Sequence, residues 1–415
     1  MKEADIKELR LRLAGLSVYR QALDNPIAHA LERLLMQERL DACRLAGAYA
    51  EVFRACAAAN CLDNPARELE NALLRDENPY TRCLAAGRTP SPILEEAAMR
   101  DLSVMRDIAC LDPVALGNLL LPAYFSADTF PVWKQGAPGP LFSKEGGALA
   151  DYLSAYHKKN GCGIYTVHAA FLWNNGMVPI LHSDPVVLQD LKGYELPRKR
   201  VLENTESFLR GLPASNMLLY GDRGTGKSST VHAILNQYRD QGLRMLELPK
   251  EGLRELPRIS EELGSLPLKF IIFIDDLSFS ETDDSFGALK AILEGSLAAR
   301  PENLLIYATS NRRHLVRETH AQRQGDEIHA MDAMQEQLSL SDRFGITVTF
   351  LNPDRAQYYE ILDGLAADRR LDMDPDALHA AAERWALSRG GRSPRVARQF
   401  IDYAQSRLLR GLPLD

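Results

Sequence analysis

Nowhere along the 415 residues do apolar side chains run on for the ~20 positions that a membrane-crossing helix needs. Cysteine is sparse. The six residues Cys43, Cys56, Cys61, Cys83, Cys110 and Cys162 form no CxxC pair and no His/Cys spacing of the zinc kind, so free thiols in a reducing compartment are expected. An excess of positive charge is also missing: 49 Lys and Arg stand against 56 Asp and Glu, a net −7. No global field therefore favours nucleic acid or an anionic membrane. There is no G-x-S-x-G elbow and no H-E-x-x-H, and the nine histidines are scattered, which removes those hydrolase and zinc-peptidase readings.

What remains has the composition of an ordinary folded, water-soluble protein, 46% apolar and 25% charged. At about 150 residues per domain, two or three units are expected. The opening MKEADIKELRLRL is charged and helical in pattern, unlike an apolar signal segment, and the cytoplasm is the expected compartment.

Apolar residues recur at helical spacing up to about residue 120: Leu31, Leu34 and Leu35, then Leu69, Leu73 and Leu74, then Leu94, Ala98, Leu102 and Met105. Breaks fall at Asp63-Asn64-Pro65, Asn78-Pro79 and Thr89-Pro90-Ser91-Pro92. Residues 1–133 therefore read as a mainly helical N-terminal domain, a packing or partner-docking module. Residues 134–187 read as a Gly/Pro-rich linker (134–147) followed by a β-hairpin, with an Asn-Gly turn between the apolar runs of Ala169 to Leu181. From residue 188 to 352 short apolar strands alternate with helical stretches: Met217 to Tyr220, Arg244 to Leu248, Phe270 to Ile274, Leu304 to Ala308 and Thr347 to Phe350. Such alternation predicts an α/β domain, a parallel sheet with helices on both faces. Residues 353–415 carry only helical patterns and read as a small α-helical appendage.

The most specific motif is Gly221-Asp222-Arg223-Gly224-Thr225-Gly226-Lys227-Ser228, followed by Ser229: a complete G-x-x-x-x-G-K-[ST] between an apolar strand and a helical stretch. Its glycines permit a loop whose N–H groups turn inward on phosphate oxygens, and the next helix adds its positive end. Lys227 is placed to reach the β- and γ-phosphates, and the Ser228 hydroxyl to ligate Mg²⁺. No N-K-x-D element for reading guanine is present, which favours ATP.

Lys269 to Asp276 is an apolar strand ending in two acids, and ligands in parallel sheets bind at the carboxyl ends of strands. Asp275 is suited to hold Mg²⁺ opposite Ser228, and Asp276 to orient or deprotonate the attacking water. Leu304 to Asn311 ends in Thr309, Ser310 and Asn311 at the same edge; one of these, Asn311 first among them, is placed to hydrogen-bond the γ-phosphate or the water.

In this order and spacing, GDRGTGKS, FIIFIDD and IYATSNRR resemble the AAA+ superfamily of P-loop ATPases, over roughly residues 188 to 410. The resemblance implies an AAA+ core with a helical lid. It implies that Leu191, Gly193 and Tyr194, in the run LKGYE, hold the adenine. It implies that Arg343, in SDRFG, is an arginine finger offered to a neighbouring subunit, and that Arg395, in GRSPRVAR, is the phosphate-contacting arginine of the lid. Arg389, Arg392, Arg395 and Arg398 recur every three residues, a spacing that also suits a solvated helix face. More narrowly, DDLSF, ATSNRRHL, EIHAMD and LSLSDRFG resemble a bacterial family of AAA+ ATP-binding proteins known as a domain of unknown function. AAA+ motors usually carry Asp-Glu where Asp275-Asp276 stand, so slow hydrolysis is expected unless Glu281 compensates.

These features predict a Mg²⁺-dependent ATPase that acts as a homo-oligomeric ring, such as a hexamer, on an unnamed macromolecular partner, with no membrane association and no indication of nucleic acid. A slow-hydrolysing nucleotide switch or scaffold is the alternative. A small-molecule kinase is disfavoured, because the lid follows the sheet instead of being inserted in it.

Overall fold

The computed structural model of the chain describes residues 3–37, 41–126, 128–278, 301–311 and 343–414, together with Gly287, Leu289, Lys290 and Leu293. The chain divides into two compact units, Met1–Val167 and His168–Asp415.

Among the described residues the first unit contains eight helices: α1 (Glu3–Ala14), α2 (Pro26–Met36), α3 (Ala42–Ala58), α4 (Pro65–Arg75), α5 (Pro79–Ala85), α6 (Pro92–Ala109), α7 (Pro113–Leu120) and α8 (Gly146–Asn160). Five begin at a proline preceded by Asn25, Asn64, Asn78, Ser91 or Asp112, and each of these caps accepts a first-turn N–H. Proline there loses no bond, since that N–H is unpaired in any helix. The predicted apolar stripes of α2, α4 and α6 meet in one core. Residues 134–147 fold back onto it, with Leu141 and Phe142 buried and Asn64 donating to the Ala137 carbonyl. Among the described residues two acids are buried inside this unit. Asp101 accepts the N–H groups of Ser17, Val18 and Tyr19 at 2.9, 2.6 and 3.0 Å, and Glu70 accepts that of Phe142 at 2.7 Å.

The second unit is built on one sheet: β1 (Ala170–Trp173), β2 (Met177–Pro179), β3 (Met217–Gly221), β4 (Leu243–Glu247), β5 (Lys269–Ile274), β6 (Leu304–Ser310) and β7 (Ile346–Phe350), in the order β2-β1-β4-β5-β6-β3-β7. The β1–β2 pair is the Asn-Gly hairpin, and it extends the sheet. β1 runs parallel to β4, and among the described strands β2 alone is antiparallel. Helices α9 (Glu195–Leu209), α10 (Lys227–Tyr238) and α11 (Leu256–Gly264) cover it. Met217, Leu219, Ile271 and Phe273 share a core with α9 and α10, while the alternate residues Leu218, Leu246, Ile272 and Ile306 are buried on the other face. Both faces are dry, as the near-continuous apolar strands predict. Between α9 and β6, the Tyr307 hydroxyl meets Asn204 and Thr205 at 3.0 and 2.8 Å, and burial raises its pKa to about 12. The appendage is three helices around a separate core: α12 (Arg355–Asp368), α13 (Pro375–Ser388) and α14 (Pro394–Leu409).

Strand order brings the candidate residues to one edge. β6 lies between β3, which leads into the phosphate loop, and β5, which leads into Asp275 and Asp276.

Candidate nucleotide-binding site

β3 ends at Gly221, whose φ is +140°; a Cβ there would sit 1.9 Å from the Phe350 carbonyl oxygen, so a side chain is excluded. The loop then turns to Gly226 (φ +90°), the N-cap of α10, which supplies no side-chain acceptor. The first N–H groups of α10 are thereby left for an anion. The Thr225 hydroxyl braces the loop on the Asp222 carbonyl at 2.8 Å. Lys227, 6% exposed, folds back along it and donates to the carbonyls of Gly221 (2.9 Å) and Asp222 (2.7 Å) and to Asn311 Oδ1 (3.1 Å). All three ammonium donors are thus aimed at exchangeable oxygens. Burial lowers the Lys227 pKa, against the pull of Asp222, Asp275 and Asp276.

The pairing of Ile274 with Ala308 carries Asp275 alongside Thr309. Thr309 donates its hydroxyl to Asp275 Oδ1 at 2.5 Å and accepts the Asp276 N–H at 2.9 Å. Ser228 reaches the same Asp275 oxygen from the loop at 2.6 Å. Asn311 donates to Asp276 Oδ1 at 2.6 Å while its own oxygen receives Lys227, so one amide joins the lysine to the acid. Asp276 is left-handed, φ +48°, a conformation that costs a non-glycine residue roughly 1–3 kcal/mol and is concentrated at functional sites.

These groups line a cavity of about 750 Å³ between the sheet's carboxyl edge and α14. The appendage docks directly on the phosphate loop: the Arg395 N–H donates to the Gly224 carbonyl at 3.1 Å. Gly224 is left-handed, and a Cβ there would lie 3.1 Å from Ser393 Oγ. Tyr194, also left-handed, stacks on Phe350 and donates its hydroxyl to the Leu351 carbonyl at 2.5 Å; burial raises its pKa. Among the described residues the wall carries six Lys or Arg side chains against four Asp, a cationic surplus suited to a polyanion.

Of the expected residues, the wall includes Leu191, Tyr194, Arg223, Gly224, Thr225, Gly226, Lys227, Ser228, Ser229, Asp275, Asp276, Asn311 and Arg395. Gly193, Gly221, Asp222 and Arg343 do not line it. Gly193 (φ +70°) lies under Ile361, and Gly221 lies under the Phe350 carbonyl. The Asp222 carboxylate turns away to accept the Asn352 N–H. Arg343 precedes β7, at the end of the sheet opposite the loop, about 16 Å of strand away. Glu281, Ser341 and Asp342 lie outside the described residues. Sequence reasoning passed over Arg198, Gln399 and Asp402, which are on the wall together with Arg398, one of the four arginines whose spacing also suits a solvated helix face. Arg198 has a side chain only 12% exposed, and burial lowers its pKa. Thr309 was one of three open choices; it is the residue that holds both acids.

The oxygens of Ser228 and Asp275 suit Mg²⁺, which is commonly bound through one or two protein oxygens plus substrate phosphates. Among the described residues no group of three or more His, Cys, Asp or Glu forms an all-protein metal cage.

A family model described as "Protein of unknown function (DUF815)" matches residues 166–408, more than half of the chain. The chain belongs to the DUF815 family. The matched stretch takes in the whole sheet and nearly all of the appendage. The strand order, with the phosphate loop after β3, paired acids after β5 and a polar end to β6, makes this DUF815 protein a member of the AAA+ superfamily. Among curated proteins, 122 residues are 30% identical to the replication factor C large subunit of Staphylothermus marinus, covering 28% of each chain. A second match, over 119 residues, is 29% identical to that of Thermofilum pendens, covering 26% of this chain and 28% of that one. The chain therefore spans little more than a quarter of the length of these curated relatives. Among solved structures, the Thermotoga maritima RuvB Holliday junction branch migration motor matches 56% of this chain and 68% of its own at 19% identity, with a TM-score of 0.39. Among the described residues no helix is long and apolar enough to cross a membrane.

Proposed function

We propose that this DUF815 protein binds ATP with Mg²⁺ between sheet and appendage and hydrolyses it in an assembly of its own copies, remodelling a macromolecular partner. The observation that carries this reading is the convergence of Lys227, the Ser228–Asp275 pair and the Asn311–Asp276 pair at one edge of the sheet. In it, the loop N–H groups of Arg223 to Ser229 and the Lys227 ammonium take the phosphate oxygens that the carbonyls of Gly221 and Asp222 stand in for. Leu191 and Tyr194 face the base, and the Gly193 turn sets their course. Ser228 and Asp275 hold Mg²⁺, which would offset charge on the phosphate oxygens. Asp276 orients the attacking water or takes its proton, steered by Asn311. Arg395 brings the lid onto the phosphates. Arg343 serves a neighbouring copy, because β7 holds it away from its own loop. The replication factor C likeness covers too little of either chain to bring DNA with it.

The test is ATP turnover per chain against protein concentration. Cooperative turnover is expected in the wild type, no ATP binding in Lys227→Ala, and retained binding with turnover down about 10³-fold or more in Arg343→Ala. Mixing the two variants should restore part of the activity, since one supplies an intact loop and the other an intact Arg343. Flat turnover with an unaffected Arg343→Ala sinks the shared site. The second reading, a slow switch, then takes its place; the short Asp276 carboxylate, already engaged by Asn311, favours it.

A further inference from the structure

The segment between β7 and α12, Leu351-Asn352-Pro353, is where the appendage joins the core, and it is pinned from two sides. Tyr194 donates to the Leu351 carbonyl at 2.5 Å, and the Asn352 N–H donates to Asp222 Oδ2 at 2.7 Å. Asp222 has two faces. Its main chain belongs to the phosphate cradle, where its carbonyl accepts Lys227 Nζ at 2.7 Å and the Thr225 hydroxyl at 2.8 Å, and its N–H donates to the Phe350 carbonyl at 2.9 Å. Its side chain leaves the cradle for the hinge. A phosphate that draws the ammonium must take donors from the oxygens it now holds, and the Asp222 carbonyl is one of three.

We infer that Asp222 is a positioning residue that carries phosphate occupancy from Lys227 to the core–lid hinge at Asn352. The inference rests on the nucleotide reading above and adds to it a route that runs beside the docking of Arg395 on Gly224. The route is short: one residue joins the lysine's partner carbonyl to the hinge N–H through its own short carboxylate side chain. Proline at 353 stiffens the hinge immediately beyond the bond, so a shift at Asn352 passes into α12.

Two measurements test it on the full chain, each with the wild type, Asp222→Ala and Asp222→Asn. The first needs no nucleotide: amide hydrogen exchange of a peptide covering residues 346–356. Asp222→Ala should quicken exchange at Asn352 about tenfold, the loss of a charge-assisted bond, whereas Asp222→Asn, which keeps an acceptor oxygen, should stay near wild type. Unchanged exchange in Asp222→Ala removes the latch. The second is the distance between probes placed by unnatural amino acids at Glu261 and Leu387, with and without ATPγS, alongside direct nucleotide binding. Closure in the wild type and Asp222→Asn, with Asp222→Ala binding ATPγS but showing less than half the change, supports the coupling. Equal closure in Asp222→Ala overturns the coupling alone. A wild type that binds no ATPγS overturns the coupling and the nucleotide reading together.

Discussion

The two units hold their carboxylates differently: Asp101 and Glu70 are buried in the helical core, whereas Asp275 and Asp276 stand exposed at the edge of the sheet. In the helical unit Asp101 is wrapped by three consecutive backbone N–H groups, and Glu70 takes a fourth from Phe142. Backbone donors are fixed by the fold, so Asp101 has one arrangement and serves as a joint; Glu70 adds to its backbone donor an ion pair with Arg67 at 3.1 Å. In the nucleotide unit the Asp275 carboxylate is held by the hydroxyls of Ser228 and Thr309, and that of Asp276 by the amide of Asn311. Side-chain donors rotate and change partners, so these acids can accept a metal or a water without the sheet being rebuilt. Burial and the nature of the donor together separate an acid locked into the architecture from one left open to a ligand.

The contrast is broken most directly at Asp276. Asp276→Asn should cut turnover by about 10²–10⁴-fold while ATP still binds. The melting temperature should hold or rise, because asparagine tolerates the left-handed backbone. A large loss of stability would place Asp276 with the architectural acids. Asp101→Ala should do the reverse: stranding three N–H groups lowers the stability of the helical unit by about 3 kcal/mol, with ATP affinity unchanged below the melting transition. Calorimetry and nucleotide titration decide it, and a variant with normal melting but weak ATP binding would contradict the assignment. Thr309→Val sharpens the boundary, since this hydroxyl both packs in the core and holds the acids. A loss of about 1–2 kcal/mol with a roughly tenfold drop in turnover is expected. An effect on stability alone would make Thr309 a purely structural residue.

Local chemistry was legible in the sequence. The glycine pattern from Gly221 to Gly226 dictates its loop, and the apolar runs ending in Asp275-Asp276 and Thr309-Ser310-Asn311 dictate buried strands with polar carboxyl ends. The proline caps of α4, α5 and α6 stood in plain view. What lay hidden was non-local. That Thr309, with Asn311, organises the acids depends on the β5–β6 register. That Asp101 has its partners 82 to 84 residues away depends on helix packing. Arg198 sits in the basic run Arg198-Lys199-Arg200, and only burial separates it from its neighbours. Asp222 reads as one more loop residue until Asn352 is seen against it.

β7 runs between the phosphate loop and the proposed finger. Phe350, at its carboxyl end, lies against Gly221 and Asp222, and Arg343 stands just before its amino end. A hydrogen-bonded strand neither stretches nor bends easily, so wherever Arg343 reaches a neighbouring copy, β7 would act as a rod of fixed length between two sites. A displacement at one phosphate loop would then arrive at the next as a movement of the finger, and the order of firing around the assembly would be set by mechanics.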